Sequence, residues 1–509
     1  MKSIGTVYLV GAGPGDAGLL TLRGAELLRR ADVVIYDVLV NPAMLRHARP
    51  EAELVSRGKR SADGALTQAQ INALMIARAR EGKCVVRLKG GDPYIFGRGG
   101  EEAEELAEAK VPFEVVPGVS SVVAGPNYAG IPLTHREHCS SFTVFTGHGD
   151  PSNAATDLRY DQIAKILGTK VVLMGLKELR GWTRSMVEHG MAPETPAAMV
   201  QWGTTGRQQT VTGTLATIAD LAEQKKLTAP VLTIVGDVVK LRSKLNWFER
   251  RPLFGQRIVV TRARSRAAEL TLKLTEAGAE VLEIPVIKTA TPSQFDDLKD
   301  ALLELNSYDW LVFTSVNGVN AFFDLFFKVH KDTRDIGGAR IAAVGPATAA
   351  RLRELHLQVD LTPPEALGVK IAAEFAKFES IENLKVCLLR AEKANPDLPR
   401  ELEKLGAIVD DIPCYQTVAE TEDSTGAAAD LLASGADWIT FTSGSTVDWF
   451  HARFNLPELL KRFPGIKLAS IGPETSKAIE RLGLKPALEA RQHTTEGLLN
   501  ALLKSRAST

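Results

Sequence analysis

The chain has 509 residues, 45% apolar and 24% charged, with 42 Gly and 25 Pro, which excludes collagen-like, low-complexity and intrinsically disordered classes. One core rarely grows beyond about 250–300 residues, so at least two domains are required, and the length suggests about three or four. Lys+Arg and Asp+Glu are equal at 61 each. Neither half carries the basic surplus of a nucleic-acid binder. The four cysteines, Cys84, Cys139, Cys387 and Cys414, contain no C-x-x-C pair, so neither a disulfide framework nor a zinc site is expected. The first apolar run, 6–10, is too short for a signal peptide. The charge-free stretch 115–134 is broken by prolines and glycines, which argues against a membrane helix. A cytoplasmic protein with no membrane partner is expected.

In chain order, VYLVG, VVIYD, VVRLKG, FTVFTG, VVLMG, AAMVQ and VLTIVG read as strands within residues 1–240. Segments of helical periodicity lie between several of them, and this alternation predicts mostly parallel sheets. The first strand runs into VGAGPGD. Gly13, Gly15 and Gly18 satisfy G-x-G-x-x-G, and Asp37 ends the next strand. That pattern alone leaves a nicotinamide-dependent oxidoreductase open. A second loop, Gly90-Gly91-Asp92-Pro93 followed by Gly97-Arg98-Gly99-Gly100, ends a later strand. Two glycine loops at strand ends predict a nucleotide-like ligand pressed against main chain on two sides. The segment 238–256 is basic and broken by Pro252 and Gly255, and precedes a fresh strand, RIVVTR.

The C-terminal half repeats itself. RIVVTR at 257 matches KVCLLR at 385, EIPVIKT at 283 matches DIPCYQT at 411, and LVFTS at 311 matches ITFTS at 439, each 128 residues apart. IAAVGPATAARLRELHL at 341 matches LASIGPETSKAIERLGL at 468, 127 residues apart. Two similar α/β domains follow. Each carries a Phe-Thr-Ser strand end (Thr314-Ser315; Thr442-Ser443) and a Gly-Pro-x-Thr helix start (Thr348; Thr475). Hydroxyls and helix N-termini at strand ends suit a carboxylate-rich ligand in a cleft. The plainer alternative is that these residues only cap helices. His135, His138 and Cys139 are loosely spaced with no fourth ligand evident, so no metal site is expected.

Val10–Asp16, Tyr36-Asp37, Gly58-Lys59-Arg60, Gly90–Glu102, Pro117–Ser120 and Ile131–Arg136 together resemble the uroporphyrinogen-III C-methyltransferases, of the tetrapyrrole methylase fold, across about 4–248. The repeated half, with Tyr415-Gln416-Thr417, resembles uroporphyrinogen-III synthase across about 255–505. The resemblance implies an α/β fold: a two-lobed methylase at 1–248, a linker at 249–254, and a synthase at 255–509. The synthase would comprise domain one (255–289 plus 417–509) and domain two (290–416), joined by two strands.

It also implies S-adenosylmethionine as methyl donor, with cofactor contacts at Pro14, Gly90, Gly91, Asp92, Ile95, Ser120, Ser121, Met174 and Gly203. Ser120-Ser121 departs from the family's Thr-Ala pair, which puts the contact at Ser121 in doubt. Asp37 matches the family's proton acceptor and Lys59 its proposed donor, although Asp37 could merely cap its strand and Lys59 merely bind a carboxylate. Arg87 could pair with a substrate carboxylate or be structural, and Met174 could equally be core filler. Tyr415 would act as proton donor in the synthase or be a packing aromatic with one hydrogen bond. The implied reactions are closure of hydroxymethylbilane to uroporphyrinogen III, with loss of water and D-ring inversion, and then methylation at C2 and C7 to precorrin-2 for siroheme or cobalamin pathways. A homodimer through the methyltransferase half and small-molecule tetrapyrrole substrates are further expectations.

Overall fold

A computed structural model describes residues 3–58, 66–147, 158–262, 264–364, 368–423 and 425–507. These residues build four five-stranded sheets. The first contains β1 (Val7–Gly11), β2 (Val33–Tyr36), β3 (Glu53–Ser56), β4 (Val85–Lys89) and β5 (Phe113–Val116), all parallel, in the order β3-β2-β4-β1-β5. Every residue of β2 and β4 is buried. A sheet covered on both faces favours apolar strands such as VVIY of β2, while β4 (VVRLK) buries Arg87 and Lys89 as well.

The second sheet departs from the expected parallel pattern. It contains β6 (Phe142–Thr146), β7 (Thr169–Leu173), β8 (Pro196–Gln201), β9 (Gln209–Thr214) and β10 (Val231–Val235), in the order β6-β7-β10-β8-β9. Only β6 and β7 pair in parallel; β10 runs antiparallel to β7 and β8, and β8 to β9. Residues 202–208 connect β8 to β9 without a crossover helix, and so short a connection permits only an antiparallel pair.

The C-terminal strands are β11 (Arg257–Val260), β12 (Glu280–Glu283), β13 (Ile287–Ala290), β14 (Trp310–Phe313), β15 (Arg340–Ala343), β16 (Lys385–Ala391), β17 (Ile408–Ala419), β18 (Trp438–Phe441), β19 (Lys467–Ser470) and β20 (Leu488–Glu489). The third sheet has the order β12-β11-β18-β19-β20 and the fourth β13-β17-β16-β14-β15. Under the internal repeat β11 matches β16, β18 matches β14 and β19 matches β15, so both sheets share one order. Each is buried on both faces. In the fourth, Leu311 and Phe313 join one apolar cluster while Trp310 and Val312 join another.

The chain crosses between these sheets twice. β12 continues through 284–286 into β13 of the fourth sheet. β17 pairs in parallel with β16, then antiparallel with β13, Ile287 opposite Ala419 and Ala290 opposite Gln416. The expected two-strand connection is therefore a short antiparallel ladder.

The segment expected to be a linker is packed. Phe248 and Leu253 are buried, and the Phe248 ring lies 4.8 Å from Tyr128 and 5.5 Å from Phe254. Glu249 accepts from Gln208 Nε2 at 2.9 Å and Thr210 Oγ1 at 2.6 Å, and pairs with Arg242. Among the described residues no helix is long and apolar enough to cross a membrane.

Candidate active site

The carboxyl ends of β1, β2 and β4, the loop before the helix Ser121–Tyr128, and the loops after β7 and β8 surround a cavity of about 1860 Å³. The two glycine loops grip each other. Gly13 N–H donates to Gly91 O at 3.1 Å, and Gly91 N–H donates to Gly13 O at 2.7 Å. A third loop closes on them: a Cβ at Gly118 would lie 2.3 Å from Gly91 O and 2.7 Å from Gly11 Cα. No side chain fits in that contact.

Pro14, Gly90, Gly91, Ile95, Ser120, Ser121, Met174 and Gly203 all line the cavity. Asp92 does not. Its carboxylate accepts from Tyr94 N at 2.8 Å and Gly118 N at 3.0 Å, so it ties two loops together. Ser120 caps the helix Ser121–Tyr128 by accepting from Val122 N at 3.3 Å. Met174 is not core filler: it is half-exposed into the cavity. With it Val38, Leu39, Ile95 and Phe96 form an apolar lining 46–61% exposed.

Asp37 lines the cavity at the end of β2, and three cations surround it. Arg87 Nη2 lies 2.5 Å and Arg57 Nη1 3.5 Å from its Oδ1, and the charge of Lys89 also acts on it. Burial pushes the Asp37 carboxyl up, but Arg87 foremost, with Lys89 and Arg57, holds it below the usual carboxylate range. Arg87 differs from the expected substrate contact. It is fully buried, donates through Nε to Glu102 Oε1 at 3.1 Å, and reaches the Ile35 carbonyl. Lys89 Nζ lies 2.9 Å from Glu102 Oε2. A guanidinium placed mid-strand in an all-buried strand must find its partners inside the sheet layer, so Arg87 orients Asp37 and cannot reach a substrate. Arg57, one-third exposed, is the cation that lines the cavity beside Asp37. Lys59 lies outside the described residues.

The strand order removes the dinucleotide alternative. In the dinucleotide-binding order β1 and β2 are neighbours, so the glycine loop and the acidic strand end share one ligand. Here β4 lies between them. Asp37 meets Arg87 of that intervening strand instead of a ribose.

In the C-terminal half, Tyr415 lies on β17 beside an irregularity in its pairing with β16. Its hydroxyl is 3.0 Å from Ser315 Oγ, joining two of the singled-out residues across 100 positions. Ser315 also accepts from Gly318 N at 3.1 Å, and Ser443 from Thr446 N at 3.3 Å, so both cap helices. Thr314 Oγ1 donates to Leu389 O at 3.4 Å, and Thr442 is partly exposed at the matching strand end. Thr348 and Thr475 are buried, 5% and 3% exposed. The third residue of each helix turns into its domain, so these two offer no hydroxyl to a cleft surface.

A family model described as tetrapyrrole (corrin/porphyrin) methylases matches residues 6–219, and one described as uroporphyrinogen-III synthase HemD matches 268–500. A porphyrin biosynthesis protein HemD of Ruminiclostridium josui is 37% identical over 98% of both chains. The chain belongs to this family of fused methylase and synthase enzymes. An S-adenosyl-L-methionine-dependent uroporphyrinogen III methyltransferase of Methanosarcina barkeri is 50% identical over 47% of this chain and 94% of its own. A crystal structure of uroporphyrin-III-C-methyltransferase from Thermus thermophilus is 41% identical over 47% of this chain and 98% of that one, with a TM-score of 0.40.

Sequence reasoning missed part of the methylase site. Phe96, Arg98, Met174, Trp202 and Thr204 line the cavity with φ between 49° and 71°. Residues with side chains adopt this region at a cost, about 1–3 kcal/mol where it is strained, and such positions cluster at functional sites. Of these, the sequence points to Met174 by the resemblance and to Arg98 only as part of its glycine loop, since no sequence pattern marks a left-handed Trp or Phe. Thr204 also joins the lobes, its Oγ1 accepting from Asp16 N at 3.1 Å, while Tyr128 donates to Asp16 Oδ2 at 2.8 Å. Asp16 was visible in the GAGPGD motif, but its partners lie 112 and 188 residues away.

Gly118→Ala is expected to part the three loops and abolish cofactor binding in calorimetry while the far-UV spectrum stays native. Retained binding would show that the loops tolerate the added methyl.

Proposed function

We propose that the chain performs two successive steps of tetrapyrrole biosynthesis: closure of hydroxymethylbilane to uroporphyrinogen III by residues 255–509, then methylation at C2 and C7 by residues 1–248, giving precorrin-2. The observation that carries the methylation reading is the pairing of a bare-backbone cradle with a half-exposed apolar lining beside an ionised Asp37. S-adenosylmethionine is the methyl donor. The cradle fits it: Gly90 and Gly91 line the cavity with bare main chain, and a Cβ at Gly90 would meet Leu39, another lining residue, at 3.7 Å. Ile95 and Met174 offer apolar surface to an adenosine, and the Gly90-Gly91 main chain offers polar contact.

When bound, the donor supplies an electrophilic methyl group to an electron-rich pyrrole carbon. The loops hold donor and acceptor in line, and positioning supplies much of the rate. Asp37 accepts the proton that the ring system loses afterwards. A carboxylate held below its usual range is a weak base. It suffices because the methylated ring carries positive charge and is itself acidic, and Asp37 stays ionised through neutral pH. Arg57 meets a substrate carboxylate beside it. Lys59 is proposed as the proton donor on the resemblance alone.

In the synthase, Tyr415 donates a proton to the departing hydroxyl while Ser315 orients it. Tyr415→Phe is expected to lower hydroxymethylbilane turnover about tenfold to a hundredfold and leave methylation of supplied uroporphyrinogen III unchanged. If turnover holds while stability alone falls by about 1 kcal/mol, Tyr415 is a packing residue.

The proposal includes a cytoplasmic homodimer joined through the methylase half, which sedimentation of the full chain checks. The deciding experiment supplies hydroxymethylbilane and S-adenosylmethionine to the purified chain and detects a twofold-methylated tetrapyrrole by mass. Formation of uroporphyrinogen I alone would refute the synthase, and unmethylated uroporphyrinogen III the methylase.

A further inference from the structure

The cavity has a second wall, supplied by the synthase half: Glu280–Pro285 on and after β12, with Glu422, Asp423 and Asp430. The methylase half presents Arg46, Arg57, Arg98, Lys177 and Arg207 to the same space. With Asp16 and Asp37 also on the methylase side, that wall carries mostly cations and the synthase wall mostly carboxylates. Arg453 of the synthase wall donates to the carbonyls of Pro285, Glu420 and Thr421.

Two cavity arginines engage the acidic wall. Arg46 Nη2 lies 2.7 Å from Glu283 Oε1, and Arg207 Nε lies 3.7 Å from Glu280 Oε1. The contact is held by main chain: Gly255 N–H donates to Gly206 O at 3.2 Å, and a Cβ at Gly206 would lie 2.2 Å from Glu280 N. Glu283 has a second partner, the Thr271 hydroxyl. It can therefore release Arg46 without being left unpaired.

We propose that Glu283 stands in for a substrate carboxylate, holding Arg46 at the cavity until the polycarboxylate substrate takes that arginine over. The synthase half thereby sets the affinity of the methylase half for its tetrapyrrole. One carboxylate replaces another on the same guanidinium, while Glu283, one-fifth exposed, keeps the Thr271 hydroxyl as its hydrogen-bond partner. The inference rests on the functional reading above, in that the ligand entering the cavity is uroporphyrinogen III.

The test uses the full chain and the Glu283→Gln variant, which keeps an acceptor for Thr271. KM for uroporphyrinogen III should fall about threefold to tenfold, with kcat and KM for S-adenosylmethionine unchanged. Arg46→Gln should raise the same KM, and adding Glu283→Gln to it should change nothing more. A KM unchanged or raised by Glu283→Gln overturns the proposal, since a purely structural ion pair would alter only the melting temperature. Binding of uroporphyrin III, the oxidised octacarboxylate, measured by fluorescence, reads the same exchange without turnover. Tightened binding by a chain that does not methylate would sustain this inference and refute the functional reading; unaltered binding by a chain that methylates would do the reverse.

Discussion

Asp37→Asn is expected to reduce methyl transfer about 10²- to 10⁴-fold while leaving S-adenosylmethionine binding within twofold of wild type. Asparagine keeps the shape and can still accept from Arg87, but it cannot take up a proton at neutral pH. Asp37 takes no part in the Gly13–Gly91 hydrogen bonds, so the donor's cradle should survive. Single-turnover methylation separates the effect from product release. Methylation within threefold of wild type would remove Asp37 as proton acceptor. The carboxyl is held low in the folded chain, so its stabilising contribution is present above the ordinary carboxylate range and lost as pH falls through the lowered value.

Arg87→Met is expected to destabilise the methylase half by about 3–5 kcal/mol. The substitution leaves Glu102, which is fully buried, with Lys89 as its one cation, and strips Asp37 of its nearest one. Urea unfolding measures the loss. A second readout separates positioning from mere structure. Without Arg87, burial dominates at Asp37, its carboxyl protonates at higher pH, and the acid limb of the methylation profile moves upward. Arg87→Lys should restore part of that displacement. An unmoved acid limb in a folded variant would mean that Arg87 does not tune Asp37.

Much of this architecture was legible because repeated or fully buried strands announce themselves. VVIYD is a continuous apolar run up to its terminal Asp37, VVRLKG keeps Val85, Val86 and Leu88 around two charges, and the 128-residue repeat foretold two sheets of matching order. β3, β5 and β9 escaped notice because ELVS, FEVV and QTVTGT mix polar and apolar residues at sheet edges. The cofactor loops could be read from glycine spacing, since close main-chain approach leaves a compositional trace. Arg87 could not be assigned correctly, because an arginine in a strand looks the same whether it faces a ligand or Glu102. The acidic wall was equally invisible, as Arg46 and Glu283 are 237 positions apart.

The packed joint bears on how the two activities can be separated at the bench. A stop codon after Phe248 would strip Glu249 from Gln208, Thr210 and Arg242, and would bare one side of the Phe248 ring. The truncated enzyme would then carry a defect unrelated to the missing synthase. Kinetic constants from excised halves would therefore describe damaged fragments; inactivating one half by substitution within the intact polypeptide keeps the other as it works.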